Sequence, residues 1–411
     1  MTTRADCASR DADDPVRSLR DNFTLDDSVI YMDGNSLGPM ARQSREHVLR
    51  ALDTEWAQGL VGSWNTSQWM DSPMILGDRL APLIGAQPGE VLIADTITMM
   101  LAKLVGASLN FQSGRHVVLT DETNFHSDLY ILDGVARFAN RNIEVRRIDR
   151  HLLEEYLSED VALVEFSHVD FRTGEMLDLH EITARVHDVG ALMLWDLAHS
   201  AGAVPVDVTS ADVDLAVGCT YKFLNAGPGS PGFCYIRGSL QDRLDNPLPG
   251  WLGHARPFDF DPDYVAAAGI RAFQTSTPPI IAMAALKGSL DVFEQTTMSE
   301  LRDKSLALST LFMDLVEERL SDHDIEVVTP REPFRRGSHV SLQVEGAYGV
   351  VQALIERGVI GDFRALEIAR FGLTPLTLRF VDVFDAVDQL VQVLDGGEHL
   401  DPRFDHRNQV T

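Results

Sequence analysis

Residues 191–230 read ALMLWDLAHSAGAVPVDVTSADVDLAVGCTYKFLNAGPGS, and this stretch decides the fold. One apolar run ends at Asp196, and His199 follows three residues later. A second apolar run is followed by Tyr221, Lys222 and a glycine-rich turn. Short apolar runs that end in polar residues are typical of buried parallel strands. Because ligands of open α/β sheets collect at the carboxyl ends of strands, these polar groups are predicted to share one binding edge.

The residue types at these two strand ends suit a pyridine cofactor. A lysine whose pKa is lowered by its surroundings can form a Schiff base, and a carboxylate can pair with a pyridinium nitrogen. Lys222 and Asp196 therefore predict a pyridoxal phosphate site. A second interpretation stays open, because an aspartate at a strand end is often only a helix cap and a lysine after an apolar run is often solvated.

The same strand and helix pattern extends through the first two thirds of the chain. Strands are predicted at 90–95, 116–120, 143–149, 162–169, 191–196 and 214–219, with helices at 96–109, 128–139 and 178–189. This alternation implies βαβ units and a doubly wound, mainly parallel sheet. The run at 232–237 follows the previous strand too soon for a parallel crossover, so we predict an antiparallel strand there.

Beyond residue 300 the pattern changes to a compact α+β unit. Strands are predicted at 325–329, 338–344, 359–364 and 376–380, with helices at 347–357 and 384–394. Polar residues 1–28 predict a mobile arm. Together these features predict an N-terminal arm or segment of the small domain at 1–40, a large cofactor-binding domain at 41–310 and a small C-terminal domain at 311–411.

The first turn of the helix at 96–109 is a candidate phosphate site. It offers Thr96 and Thr98 beside backbone N–H groups that lack helical partners. A threonine cap without a ligand is the commoner use of such a residue, so both interpretations stay open. Trp64 and Trp69 stand among small polar residues. They predict either a pocket or interface, or a small satellite core.

Composition excludes several classes of partner. The 62 acidic and 35 basic residues give a net charge of −27, which disfavours nucleic acid and anionic lipid. No run approaches the roughly 18 apolar residues of a membrane span, and the polar N-terminus does not read as a secretory signal. We therefore expect a cytoplasmic protein. The three cysteines have no zinc or disulfide spacing, so no metal site is predicted, and Cys219 and Cys234 are expected to be buried.

Motifs along nearly the whole chain resemble those of the kynureninase family, which belongs to the fold-type I pyridoxal-phosphate enzymes with the class V aminotransferases. The matching strings, in family order, are DGNSLG (33–38), SW (63–64), NF-x-x-DLY (124–130), FSHV-x-x-RTG (166–174), WDLAHSAG (195–202), VGCTYKFLNAGPGSP (217–231), GWLGH (250–254), STPP (276–279), VIGDFR (359–364) and RFGLTPL (370–376).

The resemblance implies a fold, an assembly and a reaction. The fold is a mainly parallel seven-stranded sheet with helices on both faces and a smaller C-terminal α+β domain. The assembly is a homodimer whose active sites lie at the subunit interface. The reaction, in tryptophan catabolism, is hydrolysis of the Cβ–Cγ bond of L-kynurenine, or of a 3-hydroxylated or ring-methylated kynurenine, to an anthranilate and L-alanine.

The resemblance also implies a role for each site residue. Lys222 is the Schiff-base lysine, Asp196 pairs with the pyridine nitrogen, and Tyr221 is an acid or base. The remaining cofactor contacts are Ile97, Thr98, Phe125, Asp128, Ser167 and His199, with Trp251 and Thr277 reaching the phosphate from a partner subunit. The substrate contacts are Arg370, which grips the α-carboxylate in a bidentate manner, and Ser36, Trp64 and His126.

The chain departs from the family pattern at a few positions. They are His126 and Ser127, Met100 after the first cofactor strand, Asp170 and Phe171, and Thr377. A serine in place of threonine at 127 keeps the hydroxyl. The changes at His126 and Thr377 alter size and polarity on the ring-binding side, so a ring-substituted kynurenine remains an open alternative.

Two other functions are weighed against this one. A class V aminotransferase or β-lyase is disfavoured by the number of kynureninase motifs. A cysteine desulfurase needs a thiolate on a loop well after the lysine, and no cysteine follows Cys234. A catalytically silent regulatory protein that binds pyridoxal phosphate is expected to lack Lys222 or Asp196, or to carry a basic DNA-binding region. The sequence has neither mark.

Overall fold

The computed structural model describes residues 2–139 and 141–408. Its strands are β1 (Ile30–Tyr31), β2 (Val91–Ala94), β3 (Val117–Asp121), β4 (Glu144–Ile148), β5 (Val161–Ser167), β6 (Leu192–Asp196), β7 (Leu215–Cys219), β8 (Gly232–Ile236), β9 (Ile325–Val327), β10 (His339–Val344), β11 (Val359–Ile360), β12 (Asp362–Arg364) and β13 (Ile368–Gly372). Its α-helices are α1 (Arg4–Asp13), α2 (Arg42–Arg50), α3 (Ser63–Thr66), α4 (Ser72–Leu80), α5 (Ile97–Phe111), α6 (His126–Phe138), α7 (Leu153–Tyr156), α8 (Leu179–Asp188), α9 (Gly238–Gln241), α10 (Ile280–Phe293), α11 (Met298–Arg319), α12 (Ala347–Glu356) and α13 (Phe380–Asp395).

The central sheet has the predicted doubly wound architecture. Its strand order is β2-β8-β7-β6-β5-β3-β4. Strands β4, β3, β5, β6 and β7 run parallel to one another, whereas β8 is antiparallel to both β7 and β2. The predictions of a mainly parallel sheet and of an antiparallel strand at 232–237 are therefore confirmed.

Both faces of the sheet are covered by helices because its strands are apolar on both sides. In β2, Val91 and Ile93 join one hydrophobic core, and Leu92 and Ala94 join another. This alternation is the two-residue period of a strand. The second core includes residues of α5, and the first includes residues of α4, α8 and α10. Cys219 and Cys234 are buried, as predicted.

A smaller four-stranded antiparallel sheet, in the order β12-β13-β10-β9, follows the long helix α11. It shares a third hydrophobic core with α11, α12 and α13. The predicted strand at 376–380 is wrong, because the strand in this region is β13. The Thr374 carbonyl accepts the N–H groups of Thr377 and Leu378, which makes a turn, and Asp382 then caps α13 by accepting the Arg379 N–H. The helix therefore begins at Phe380 rather than at 384.

The stretch at 359–364, predicted as one strand, contributes to two sheets. Strand β11 pairs in parallel with β1, and β12 pairs with β13. Gly361 lies between them, where a side chain would press on the Arg370 carbonyl and the Phe371 ring. The register of β12 on β13 then pairs Asp362 with Arg370.

The N-terminal residues are ordered, so the prediction of a mobile arm is wrong. Helix α1 packs against α13, and Arg4 forms an ion pair with Asp385 at 2.7 Å. Cys7 is fully buried in the C-terminal core. These contacts join the segment to the α+β unit. The division at 40 and 310 stays a prediction, and Met1, Asn140 and 409–411 lie outside the described residues.

Candidate active site

The register of the parallel strands brings the predicted polar groups together. Ser167 at the end of β5 pairs with Asp196 at the end of β6, and Asp196 pairs with Val217 in β7. The turn after β7 carries Tyr221 and Lys222 and is closed by a hydrogen bond from the Ala226 N–H to the Thr220 carbonyl. The three strand ends therefore share one edge, as expected for a doubly wound sheet.

A cavity of about 90 Å³ lies at this edge. Most of the residues that line it are predicted cofactor contacts, namely Ile97, Thr98, Phe125, Asp128, Ser167, Asp196, His199, Tyr221 and Lys222. Ser127, Phe171 and Ala198 complete the lining. Phe171 was not predicted as a site residue, although it lies within a quoted motif. Its ring stands edge to face against Phe125 at 5.2 Å between ring centroids.

Two helix N-termini face the cavity and can receive an anion. Helix α5 begins at Ile97, and α6 begins at His126, so their first N–H groups lack partners within the helices. Thr96 caps α5 by accepting the Met99 N–H, whereas Thr98 lines the cavity with its hydroxyl 3.4 Å from that of Ser127. The capping interpretation therefore applies to Thr96, and phosphate binding at Thr98 stays a prediction.

The acidic groups of the cavity have separate roles. One carboxylate oxygen of Asp196 accepts the Ala198 N–H at 2.8 Å, and the other lies 3.4 Å from the Ser167 hydroxyl. Burial raises the pKa of Asp196, and Lys222 opposes that shift. Burial and the neighbouring Asp196 raise the pKa of Asp128 well above its usual value, which favours the protonated form of Asp128. Asp196 is therefore the carboxylate suited to a protonated ring nitrogen.

The remaining polar groups fit a pyridine ring with polar substituents. Burial and Lys222 lower the pKa of His199 well below its usual value, so its imidazole is neutral. His199 Nε2 and Asp128 Oδ2 are buried without a protein hydrogen-bond partner within the described residues. Burial also raises the pKa of Tyr221, which keeps its phenol protonated. Lys222 Nζ lies 5.7 Å from the centroid of the Phe125 ring. These residues fit pyridoxal phosphate.

Arg370 lies in β13 and is almost fully buried. Its Nε donates to Asp362 at 2.8 Å, its Nη2 donates to the other Asp362 oxygen and to the Ser36 hydroxyl, and its Nη1 donates to the Phe171 carbonyl. Ser36 in turn donates to Asp362 at 2.5 Å. The bidentate partner of Arg370 in this structure is therefore Asp362. Its place in the quoted motif VIGDFR was the available signal.

Two predicted substrate residues, Trp64 and His126, and two predicted phosphate contacts, Trp251 and Thr277, lie outside the cavity lining. Trp64 packs edge to face against Trp69 at 5.5 Å, and both rings are half-buried. His126 is exposed and packs against Phe125 at 4.3 Å between ring centroids, beside the cavity. Trp251 is 42% exposed and Thr277 is exposed. The exposure of Trp251 and Thr277 suits their predicted contact with a partner subunit. The roles of Trp64, His126, Trp251 and Thr277 stay predictions.

Two of the departures also lie away from the cavity. Asp170 is buried in an ion pair with Arg150 at 3.0 Å, and it accepts the N–H groups of Arg172 and Thr173. It therefore anchors the turn that carries Phe171. Thr377 is buried, and its carbonyl accepts a hydrogen bond from Arg20. Neither the Asp170 nor the Thr377 side chain lines the cavity.

The chain is similar to known proteins in sequence and in fold. A family model described as the kynureninase C-terminal domain matches residues 301–390. Kynureninase from Pseudomonas fluorescens is 46% identical over 418 residues, and that from Burkholderia pseudomallei strain 1106a is 47% identical over 416 residues; each match covers 100% of both chains.

Solved structures with this fold share little sequence. A variant of C-DES with glycine covalently linked to the PLP cofactor has a TM-score of 0.78 and 20% identity over 90% of this chain and 98% of its own. The cysteine desulfurase CsdA from Escherichia coli has a TM-score of 0.77 and 17% identity over 94% of this chain and 98% of its own. These likenesses confirm the fold class. The identity to the two full-length relatives shows more, namely that the chain belongs to the kynureninase family.

Proposed function

We propose that this chain is a pyridoxal-phosphate-dependent hydrolase that cleaves the Cβ–Cγ bond of L-kynurenine, or of a ring-substituted kynurenine, to an anthranilate and L-alanine. One observation carries the proposal, namely the convergence of Lys222, Asp196 and most of the other predicted cofactor contacts on one cavity in a chain of this family. No feature of the cavity favours a class V aminotransferase, a β-lyase or a silent regulatory protein over this reaction.

Each group around the cavity has a task in this reaction. Asp196 would pair with the ring nitrogen, Phe125 would stack on the ring, and Thr98 with the backbone of Ile97 would hold the phosphate. When bound, the cofactor supplies an electron sink for the bonds that break at the substrate. Lys222 holds the cofactor in the resting enzyme, and its amine then moves protons at the substrate Cα.

Two further groups act on the substrate. The protonated phenol of Tyr221 would donate a proton near the γ-carbonyl, to which water adds before the Cβ–Cγ bond breaks. Arg370 holds the α-carboxylate. Because its Nη2 already donates to Asp362 and Ser36, the substrate must share or replace those hydrogen bonds.

A product assay tests the reaction. The enzyme loaded with pyridoxal phosphate is incubated with L-kynurenine and, separately, with 3-hydroxy-L-kynurenine, and anthranilates and L-alanine are quantified by chromatography. We expect equal amounts of the two products, and the ratio of the two kcat/KM values identifies the preferred ring. An oxo acid formed in place of L-alanine indicates transamination, and an absence of turnover with both substrates refutes the proposal.

We also propose a cytoplasmic homodimer with shared active sites. No helix within residues 2–139 and 141–408 is long and apolar enough to cross a membrane. Trp251, Phe258 and Phe260 form an exposed aromatic cluster, and an apolar groove of about 890 Å³ runs between the segment after β1 and the start of α10. Large exposed apolar surfaces of this kind favour self-association.

Mixed subunits test whether Trp251 serves the partner's site. We expect Trp251→Ala and Lys222→Ala to be inactive or weak when each is expressed alone. Co-expressed, they form heterodimers in which one site keeps both native residues, so activity should return to about a quarter of the native value per subunit. Sedimentation confirms the dimer. If Trp251 acts within its own subunit, no activity returns.

A further inference from the structure

A buried glutamate lies beneath the cavity and has no role in the reaction described above. Glu165 is in β5, two residues before Ser167, and is fully buried. Its Oε2 accepts hydrogen bonds from the Thr120 hydroxyl and the Asn124 amide, both at 2.9 Å. Its Oε1 is buried without a hydrogen-bond partner in the described part of the chain. A charged residue inside an apolar strand needs an explanation.

Asn124 connects this glutamate to the cofactor site. Its amide nitrogen donates to Glu165, which leaves its carbonyl oxygen turned toward the cavity. That oxygen accepts the Ser167 hydroxyl and the Phe125 N–H, both at 2.8 Å. Ser167 lies 3.4 Å from Asp196, and Phe125 lines the cavity. The orientation of the Asn124 side chain therefore fixes the positions of Ser167 and Phe125 in the site.

The surroundings of Glu165 favour its neutral form. Its two hydrogen-bond donors are uncharged, and the charged groups that act on it and its network are the carboxyls of Asp121, Asp128 and Asp196. Lys222 acts on Asp128 and Asp196 from across the cavity. Burial and Asp196 raise the pKa of Glu165 to about 8. Among the described residues no cation pairs with this carboxyl, so burial favours its protonated form.

We propose that Glu165 is a positioning residue of the cofactor site, a neutral carboxylic acid that holds the Asn124 amide so that its carbonyl fixes Phe125 and Ser167. The inference rests on the proposed function for the identity of the cofactor. It identifies Glu165 as a residue outside the cavity on which the positions of Phe125 and Ser167 depend.

Two substitutions separate positioning from charge. Glu165→Gln keeps an acceptor oxygen of the same shape and cannot ionise, so pyridoxal phosphate affinity and the pH profile of its visible absorption should remain within about 2-fold of native. Glu165→Leu removes this acceptor and leaves the Asn124 amide with only the longer hydrogen bond to the Thr120 hydroxyl at 3.3 Å. We expect it to weaken pyridoxal phosphate binding and to lower kcat/KM by about 10- to 100-fold, the range of effects for residues that orient a ligand-binding group.

A matched control removes general destabilisation as an explanation. Val164 directly precedes Glu165 in β5, and its side chain points to the opposite face of the sheet, into the core. Val164→Ala should lower the melting temperature and leave cofactor affinity unchanged. Infrared spectroscopy should show a protonated carboxylic acid band at neutral pH in the native protein that is lost in Glu165→Gln.

Distinct outcomes overturn the inference. If Glu165→Leu binds pyridoxal phosphate as tightly as Val164→Ala does, Glu165 does not position the site. If Glu165→Gln is as impaired as Glu165→Leu, or the infrared band is absent, the residue acts as a charge. Failure of the proposed function is visible separately, because cofactor affinity is measured without substrate and the native enzyme is assayed in parallel.

Discussion

Replacing Lys222 by alanine is expected to abolish turnover, with kcat falling by at least about 10⁴-fold. Lys222 is the one amine among the described residues that line the cavity, and its Nζ stands near the Phe125 ring, over which the pyridine ring is expected to stack. Without it, neither the Schiff base nor proton transfer at Cα has a donor. The native protein should be yellow, and the variant should lose the visible absorption band of the lysine-bound cofactor.

A second lysine provides the control for this experiment. Lys287 is exposed on α10, outside the cavity lining, so Lys287→Ala should keep both the absorption band and the activity. Circular dichroism and melting temperature establish that each variant is folded. Retention of the native spectrum and turnover in Lys222→Ala refutes the assignment of this lysine.

Replacing Arg370 by alanine is expected to impair substrate binding far more than cofactor binding. The loss of a buried, hydrogen-bonded charge pair costs about 2 to 4 kcal/mol, which corresponds to roughly 30- to 1000-fold in kcat/KM, mainly through KM. Asp362 keeps Arg364 as a partner at 2.7 Å, so the buried carboxylate does not lose every cation. The visible band that depends on Lys222 should remain. Steady-state kinetics with L-kynurenine and inhibition by L-alanine measure the effect.

A conservative variant separates charge from geometry at this position. Arg370→Lys keeps the charge but cannot donate at once to Asp362, Ser36 and the Phe171 carbonyl. We expect it to recover only part of the affinity for L-alanine. Unchanged KM and unchanged inhibition by L-alanine in Arg370→Ala contradict carboxylate binding by this residue.

The parts of the molecule that follow local rules could be predicted from the sequence. The apolar runs that end at Asp196 and just before Lys222 specify strands, and parallel strands with short connections bring their ends to one edge. The segment at 376–380 shows where this reasoning fails. Its alternating residues resemble a strand, but hydrogen bonds to the Thr374 carbonyl and capping by Asp382 turn it into a helix start.

The contacts that could not be predicted from local sequence patterns depend on pairing between separate segments of the chain. The bidentate bond between Arg370 and Asp362 follows from the register of β12 on β13, which no single segment encodes. The link from Glu165 through Asn124 to Ser167 likewise joins strand β5 to the loop that follows β3. Trp64 remained ambiguous because a tryptophan among polar residues is equally compatible with an interface, a pocket or a small core.

The hydrogen bond from Arg370 to the Phe171 carbonyl bears on how this enzyme could acquire new substrates. The same short turn carries the ring that meets Phe125 and accepts a bond from the arginine expected to hold the amino-acid head. A laboratory selection that enlarges the cavity at Phe171 therefore risks moving the arginine as well. Libraries that vary Phe171 together with Ser36 and Asp362 should yield active variants more often than libraries that vary Phe171 without them.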